Sequence, residues 1–227
     1  YMNAAKFLYG LDFGTSNSAL SIYDTDKGEL LTTLRLPSLL YFTDAQEGGQ
    51  PLKYTVGEEA VSQYIEEGMK GRFMKSVKRI LPRSSFSETK VFTKRMTASD
   101  LVTLIIAELK QQADTLIGEE VNRVVLGRPV HFDDDDPALD TLAQERLLRA
   151  AQQAGFTDIV LQYEPIAAAF AYERTLRQKE RVLVGDLGGG TTDFTIIDLD
   201  PGRHNTTNRQ QDILATGGIY IGGDNFD

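Results

Sequence analysis

Two stretches of this chain, 174 residues apart, carry one pattern. Leu11-Asp12-Phe13-Gly14 lies on Gly185-Asp186-Leu187-Gly188, and with no gap Ile22-Tyr23-Asp24 then lies on Ile196-Ile197-Asp198. Each copy reads as strand, Asp-apolar-Gly, a small polar turn and a second strand, the pattern of a β-hairpin. A duplicated hairpin implies two similar half-domains. Around it the order is strands, helices, strand, helix, strand, helix, hairpin, which predicts an α/β protein with a mixed sheet.

The apolar periodicity predicts strands over Lys6–Leu11, Ser18–Tyr23, Leu30–Arg35, Leu39–Phe42, Val121–Leu126, Ile159–Gln162, Arg181–Asp186, Asp193–Asp198 and Ile213–Gly218. It predicts helices over Glu58–Glu67, Met69–Leu81, Ser99–Ile117, Ala138–Ala154 and Pro165–Arg177. Thr97 or Ser99 can cap the third of these, and Gly118 and Gly155 are natural helix stops. Pro37-Ser38 breaks one strand from the next, and Glu47–Pro51 reads as a surface loop. Asp133–Asp136 reads as a solvated acidic loop and Arg203–Gln211 as a mobile one.

The formal net charge of −9 opposes a general nucleic-acid role, because phosphate backbones are bound by clustered Lys and Arg, and it opposes docking on an anionic membrane. There is no cysteine, which removes disulfides, thiolate metal sites and cysteine nucleophiles. No apolar run approaches the roughly 20 residues of a membrane span. A cytoplasmic location is the expectation.

The turns Gly14–Asn17 and Gly188–Thr192 are rich in Gly, Thr and Ser. Glycine lets backbone approach a ligand, successive N–H groups form anion-binding nests, and the hydroxyls add donors. Two such hairpins could grip one polyphosphate from both sides. Asp12 and Asp186 end the strands that lead into the turns. Their carboxylates would repel phosphate without an intervening cation. Mg²⁺ suits that place, since it keeps waters and is held by a few carboxylates together with phosphate oxygens. No segment has the P-loop ending Gly-Lys-Ser or Gly-Lys-Thr. Gly188-Gly189-Gly190 is not a dinucleotide fingerprint, because Asp193 replaces the third glycine and a strand follows.

Several segments resemble the DnaK-type heat-shock chaperones of the actin, sugar-kinase and chaperone superfamily. Gly10–Ser18 resembles their first phosphate loop, and Asp186–Asp193 the second. Glu164-Pro165-Ile166-Ala167-Ala168-Ala169-Phe170-Ala171-Tyr172 resembles the connection between lobes. Val77–Leu81 resembles the segment with the catalytic lysine, and Ile221–Asp227 a segment of lobe two. Leu126–Phe132 together with Gln162–Pro165 is especially similar to the YegD-like branch, whose members lack the usual substrate-binding domain.

The resemblance implies a duplicated ribonuclease-H-like, actin-like ATPase fold and ATP or ADP with Mg²⁺, and K⁺ as a further cation. It implies that Asp12, Glu164 and Asp186 position Mg²⁺, largely through water. It implies phosphate contacts from Gly14, Thr15, Ser16 and Asn17, from Gly188, Gly189, Gly190 and Thr191, and a binding role for Gly222 and Gly223. Lys78 and Asp193 would address the γ-phosphate and the attacking water, with Glu164 beside them. An unfolded-protein client or a co-chaperone would be the protein partner.

By the same resemblance, lobe one covers 1–178, with a peripheral insertion at about 39–97, and lobe two begins at 179. The second Gly-rich motif that holds adenine and ribose is not among these residues, so lobe two is expected to be incomplete and nucleotide binding by this stretch weak. Pro129 matches a proline thought to couple the domains, but Gln144 stands where its partner arginine belongs, with Arg146 two residues on. Three competing readings remain: a small-molecule kinase of the same superfamily, a non-catalytic scaffold that keeps the fold, and a filament-forming, actin-like protein.

Overall fold

A computed structural model describes residues 6–44, 50–189, 191–203, 206, 209–219 and 221–223. The chain divides into two compact units, Tyr1–Leu126 with His131–Val160, and Gly127–Val130 with Leu161–Asp227.

In the first unit, Phe7–Phe13 (β1) alternates strictly, with Phe7, Tyr9, Leu11 and Phe13 buried. That period of two commits one face of the strand to a core. Asn17–Asp24 (β2) returns antiparallel, and Glu29–Pro37 (β3) pairs with it on the far side. Leu40–Phe42 (β4) and Tyr54–Val56 (β5) begin a smaller sheet, and Glu58–Glu66 (α1) follows.

The helix expected over Met69–Leu81 does not form. Arg72–Met74 (β6) pairs antiparallel with β4, and Val77–Ile80 makes a short 3-10 turn. The backbone explains this. Met69, Gly71 and Ser76 all have positive φ (60°, 82° and 56°), which no helix accommodates. A Cβ on Gly71 would lie 2.4 Å from the Phe42 carbonyl oxygen, so glycine permits the close pairing. The open edge of β4 thus outweighs helical periodicity. Glu88–Val91 (β7) and Lys94–Thr97 (β8) then form a hairpin within a stretch where no strand was expected.

Ala98–Ile117 (α2) has a complete capping box: the Thr97 side chain accepts from the Asp100 N–H, and the Asp100 carboxylate accepts from the Thr97 N–H. Gly118 closes the helix in the left-handed region. Leu101, Val102, Ile105, Ile106 and Leu109 are buried, following the spacing of an amphipathic face. Arg123–Arg128 (β9) lies parallel to β1, as the long connection through α2 requires. Pro137–Gln153 (α3) starts at Asp136, whose carboxylate accepts from the Ala138 N–H. Asp158–Tyr163 (β10) completes a five-stranded sheet in the order β10-β9-β1-β2-β3.

In the second unit, Glu164–Glu173 (α4) is shorter than the predicted Pro165–Arg177. Tyr172 O accepts from both the Thr175 N–H (2.9 Å) and the Thr175 hydroxyl (2.7 Å), and these bonds close the helix end. Glu180–Leu187 (β11), Thr192–Leu199 (β12) and Ile213–Ile219 (β13) form an antiparallel sheet in that order. Ile166 and Ala169 of α4 pack with Ile197 and Leu199 of β12, flanked by Val182, Val184 and Ile213. Leu183, Leu187, Phe194 and Ile219 are exposed.

Residues 203–211 were expected to be mobile, but the described part is pinned. Arg209, 2% exposed, bonds both oxygens of Glu173 (2.6 and 3.0 Å) and also Asp212. Arg203 pairs with Asp212, and the Asp200 N–H reaches Glu173 at 2.9 Å. The Arg209 guanidinium stands 5.5 Å from the Phe170 ring centroid. The hydrogen bonds that Arg209 donates to Glu173 and Asp212 raise its pKa further, so it stays charged although buried. The order in this loop comes from ion pairs that span 36 residues of sequence, beyond the reach of any local pattern.

The two hairpins correspond pair by pair. All seven pairs between β1 and β2, from Phe7↔Asp24 to Phe13↔Ser18, recur 174 residues later between β11 and β12, from Arg181↔Asp198 to Leu187↔Thr192. Each then meets a third antiparallel strand, with a register shift at the same place: after Ile22 in one and after Ile196 in the other. The fold is α/β, built on a duplicated strand–turn–strand–strand unit.

Candidate functional site

Each hairpin places an aspartate one residue before its closing pair. Asp12 stands opposite Ala19, and Asp186 opposite Asp193. Both aspartates are exposed. Phe13 is buried beside Asp12, so strand alternation itself directs residue 12 away from the core.

The first turn, Gly14–Asn17, is tight. A Cβ on Gly14 would meet the Asn17 carbonyl oxygen at 2.1 Å, a contact only glycine avoids. Gly14, Thr15 and Ser16 are half-buried and Asn17 is exposed. The turn is also held from below. Ser38 donates its hydroxyl to Gly14 O at 2.8 Å and its N–H to Ser16 O at 2.8 Å.

The second turn has its own support. The Gly188 N–H bonds Thr191 O at 2.9 Å, and the Gly223 N–H bonds Gly188 O at 3.0 Å. Gly222 sits directly on the turn, where a Cβ would lie 2.5 Å from the Gly189 carbonyl carbon. The Thr192 hydroxyl donates to Ile221 O at 2.7 Å, and the Thr191 hydroxyl to Asp193 at 2.8 Å. Thus Gly188, Gly189, Thr191, Asp193, Gly222 and Gly223 do come together in one unit. Gly190 and Asp224–Asp227 lie outside the described residues.

Glu164 is the first residue of α4, where a carboxylate suits the helix dipole. Lys78 is half-buried on the 3-10 turn. The segment after it is fixed by Arg146 of α3, whose guanidinium bonds the carbonyls of Ile80 (3.1 Å), Leu81 (2.8 Å), Arg83 (2.9 Å) and Phe86 (2.6 Å). Burial lowers the Arg146 pKa. This side chain is therefore committed to a loop, a role that its place beside Gln144 did not suggest. Ser38 and the loop-binding role of Arg146 are the supports that sequence reasoning missed, and Ser18 was read only as the end of the first phosphate-loop motif. Pro37-Ser38 carried only a turn signal, and that signal does not disclose a buried hydroxyl.

Among the described residues, no three His, Asp or Glu side chains gather as direct metal ligands. Asp12 belongs to the first unit, and Glu164 and Asp186 to the second. Each unit by itself places an exposed carboxylate one residue before the closing pair of its hairpin, Asp12 before Gly14–Asn17 and Asp186 before Gly188–Thr192, a donor of the kind that suits a hydrated cation. No helix among the described residues is long and apolar enough to cross a membrane.

The family model described as Hsp70 protein matches residues 8–227, nearly the whole chain and both hairpins, and the chain belongs to the Hsp70 family of ATP-binding chaperones.

Proposed function

We propose that this chain is the ATP-binding and ATP-hydrolysing module of a DnaK-type chaperone, with both turns acting on the polyphosphate of one Mg-ATP. The observation that carries the reading is the residue-for-residue repetition of the hairpin, aspartate included. Asp12, Glu164 and Asp186 orient the waters of Mg²⁺, which supplies charge neutralisation of the phosphates when bound. The backbone N–H groups of Thr15, Ser16, Asn17, Gly189, Gly190 and Thr191 hold phosphate oxygens, together with the hydroxyls of Thr15 and Ser16 and the side-chain amide of Asn17, while the Thr191 hydroxyl is donated to Asp193. Lys78 and Asp193 are the groups that the resemblance implies for hydrolysis. Similarity over Leu126–Phe132 and Gln162–Pro165 supports placement in the YegD-like branch. A cytoplasmic location and an unfolded-protein client or co-chaperone belong to the same reading.

Isothermal titration tests it. Mg-ATP, titrated to millimolar concentration, is expected to give one weak, saturable site, displaced by Mg-ADP and not by Mg²⁺ alone. A folded protein that gives no heat with either nucleotide would leave the scaffold reading in its place.

A further inference from the structure

We propose that Ser38 is a positioning residue for the first turn, acting through a closed ring of hydrogen bonds with Ser18 and the backbone of Gly14. The inference rests on the phosphate role assigned to that turn above.

The ring has three members. The Gly14 N–H donates to Ser18 Oγ at 3.3 Å, the two serine hydroxyls lie 2.8 Å apart, and Ser38 Oγ donates to Gly14 O at 2.8 Å. A carbonyl only accepts, so the single Ser38 proton goes to Gly14 and the proton between the serines belongs to Ser18. The direction is therefore unique: Gly14 N–H to Ser18, Ser18 to Ser38, Ser38 back to Gly14 C=O. Both serines are buried, at 1% and 0% exposure, where unmet polar groups are costly and linked hydrogen bonds reinforce one another.

Two consequences follow for the site. The Gly14 N–H is already spent inside the ring, so the donors left for phosphate come from Thr15, Ser16 and Asn17. The turn is also shaped before any ligand arrives, which spares binding the cost of ordering it. The second hairpin supports the assignment. Thr192 is the counterpart of Ser18 in register, and its hydroxyl likewise ties the turn to a later segment, at Ile221 O. The same hairpin position anchors both turns, through different partners.

The test compares the full chain with Ser18→Ala, Ser38→Ala and the double variant, with Ser99→Ala as a control. Ser99 is an equally buried serine whose hydroxyl bonds Arg146 O instead. Two quantities are read at a temperature where every variant is fully folded: exchange of the Gly14 amide hydrogen without nucleotide, and Kd for Mg-ATP. The ring predicts faster Gly14 exchange in both single variants. It predicts about a tenfold rise in Kd for each, near 1.4 kcal/mol, with the double variant no worse than either single one and Ser99→Ala unchanged. Wild-type Kd in Ser38→Ala overturns the positioning role. Additive losses in the double variant overturn the ring. If the wild type binds no Mg-ATP, the nucleotide reading fails first, and a protected Gly14 amide then leaves the ring as a structural tie alone, which also overturns the proposal.

Discussion

Replacing Arg209 with methionine is expected to lower unfolding stability by about 3–5 kcal/mol, the usual cost of removing one partner from a buried ion pair. Arg209 bonds both oxygens of Glu173, and Glu173 is 0% exposed. Without it, the carboxylate loses bonds of 2.6 and 3.0 Å while the bond from the Asp200 N–H remains, and Asp212 loses its Arg209 partner while Arg203 remains. Urea unfolding measures the loss. A Glu173→Leu, Arg209→Met double variant is expected to recover much of it, because the expense lies in the stranded charge and apolar groups of similar volume often replace buried pairs at little cost. A single-variant loss below about 1 kcal/mol, typical of an exposed pair, would contradict the buried network.

Gly222→Ala is expected to weaken Mg-ATP binding about a hundredfold, near 2.8 kcal/mol, while Gly223→Ala stays within about twofold. The two glycines are adjacent and the resemblance treats them alike, but their surroundings differ. A methyl on Gly222 meets three backbone atoms of Gly188 and Gly189 at 2.5–2.6 Å, and backbone cannot rotate aside as a side chain can. The second turn must therefore move. Among the described residues, a methyl on Gly223 meets only Gly189 Cα at 3.9 Å, an ordinary contact. Titration of both variants with Mg-ATP separates them. Equal effects would mean that the approach of Gly222 to the turn does not shape the site.

The hairpins were legible in the sequence because their signals are local: alternation, a glycine turn, and an aspartate at one fixed step before it. The Thr97 cap of α2 was legible for the same reason, since it acts within three residues of its partner, whereas Asp136, which caps α3, read only as part of an acidic loop. The rest that escaped notice depends on distant partners. β6 forms because β4 offers it an edge, and Gly71 fits against Phe42 only once both strands exist. Arg209 is ordered by a glutamate on α4, and Arg146 by a loop more than 60 residues before it. The site shows the same division. The turn residues proposed to hold the ligand carried a motif, whereas Ser38, which bonds the first turn, looked like an ordinary serine after a proline.

Asp186 is proposed to act on phosphate through a cation. The most direct measurement is isothermal titration of ATP into the wild type and Asp186→Ala, each with Mg²⁺ and again with EDTA. With Mg²⁺, the variant is expected to bind about 10–100-fold more weakly, the range for a lost charge-assisted contact of roughly 1.5–3 kcal/mol. With EDTA, its affinity should equal or exceed that of the wild type, because the carboxylate then only repels phosphate. A wild type that binds ATP equally with and without Mg²⁺, or an Asp186→Ala variant that keeps full Mg-ATP affinity, would contradict the account.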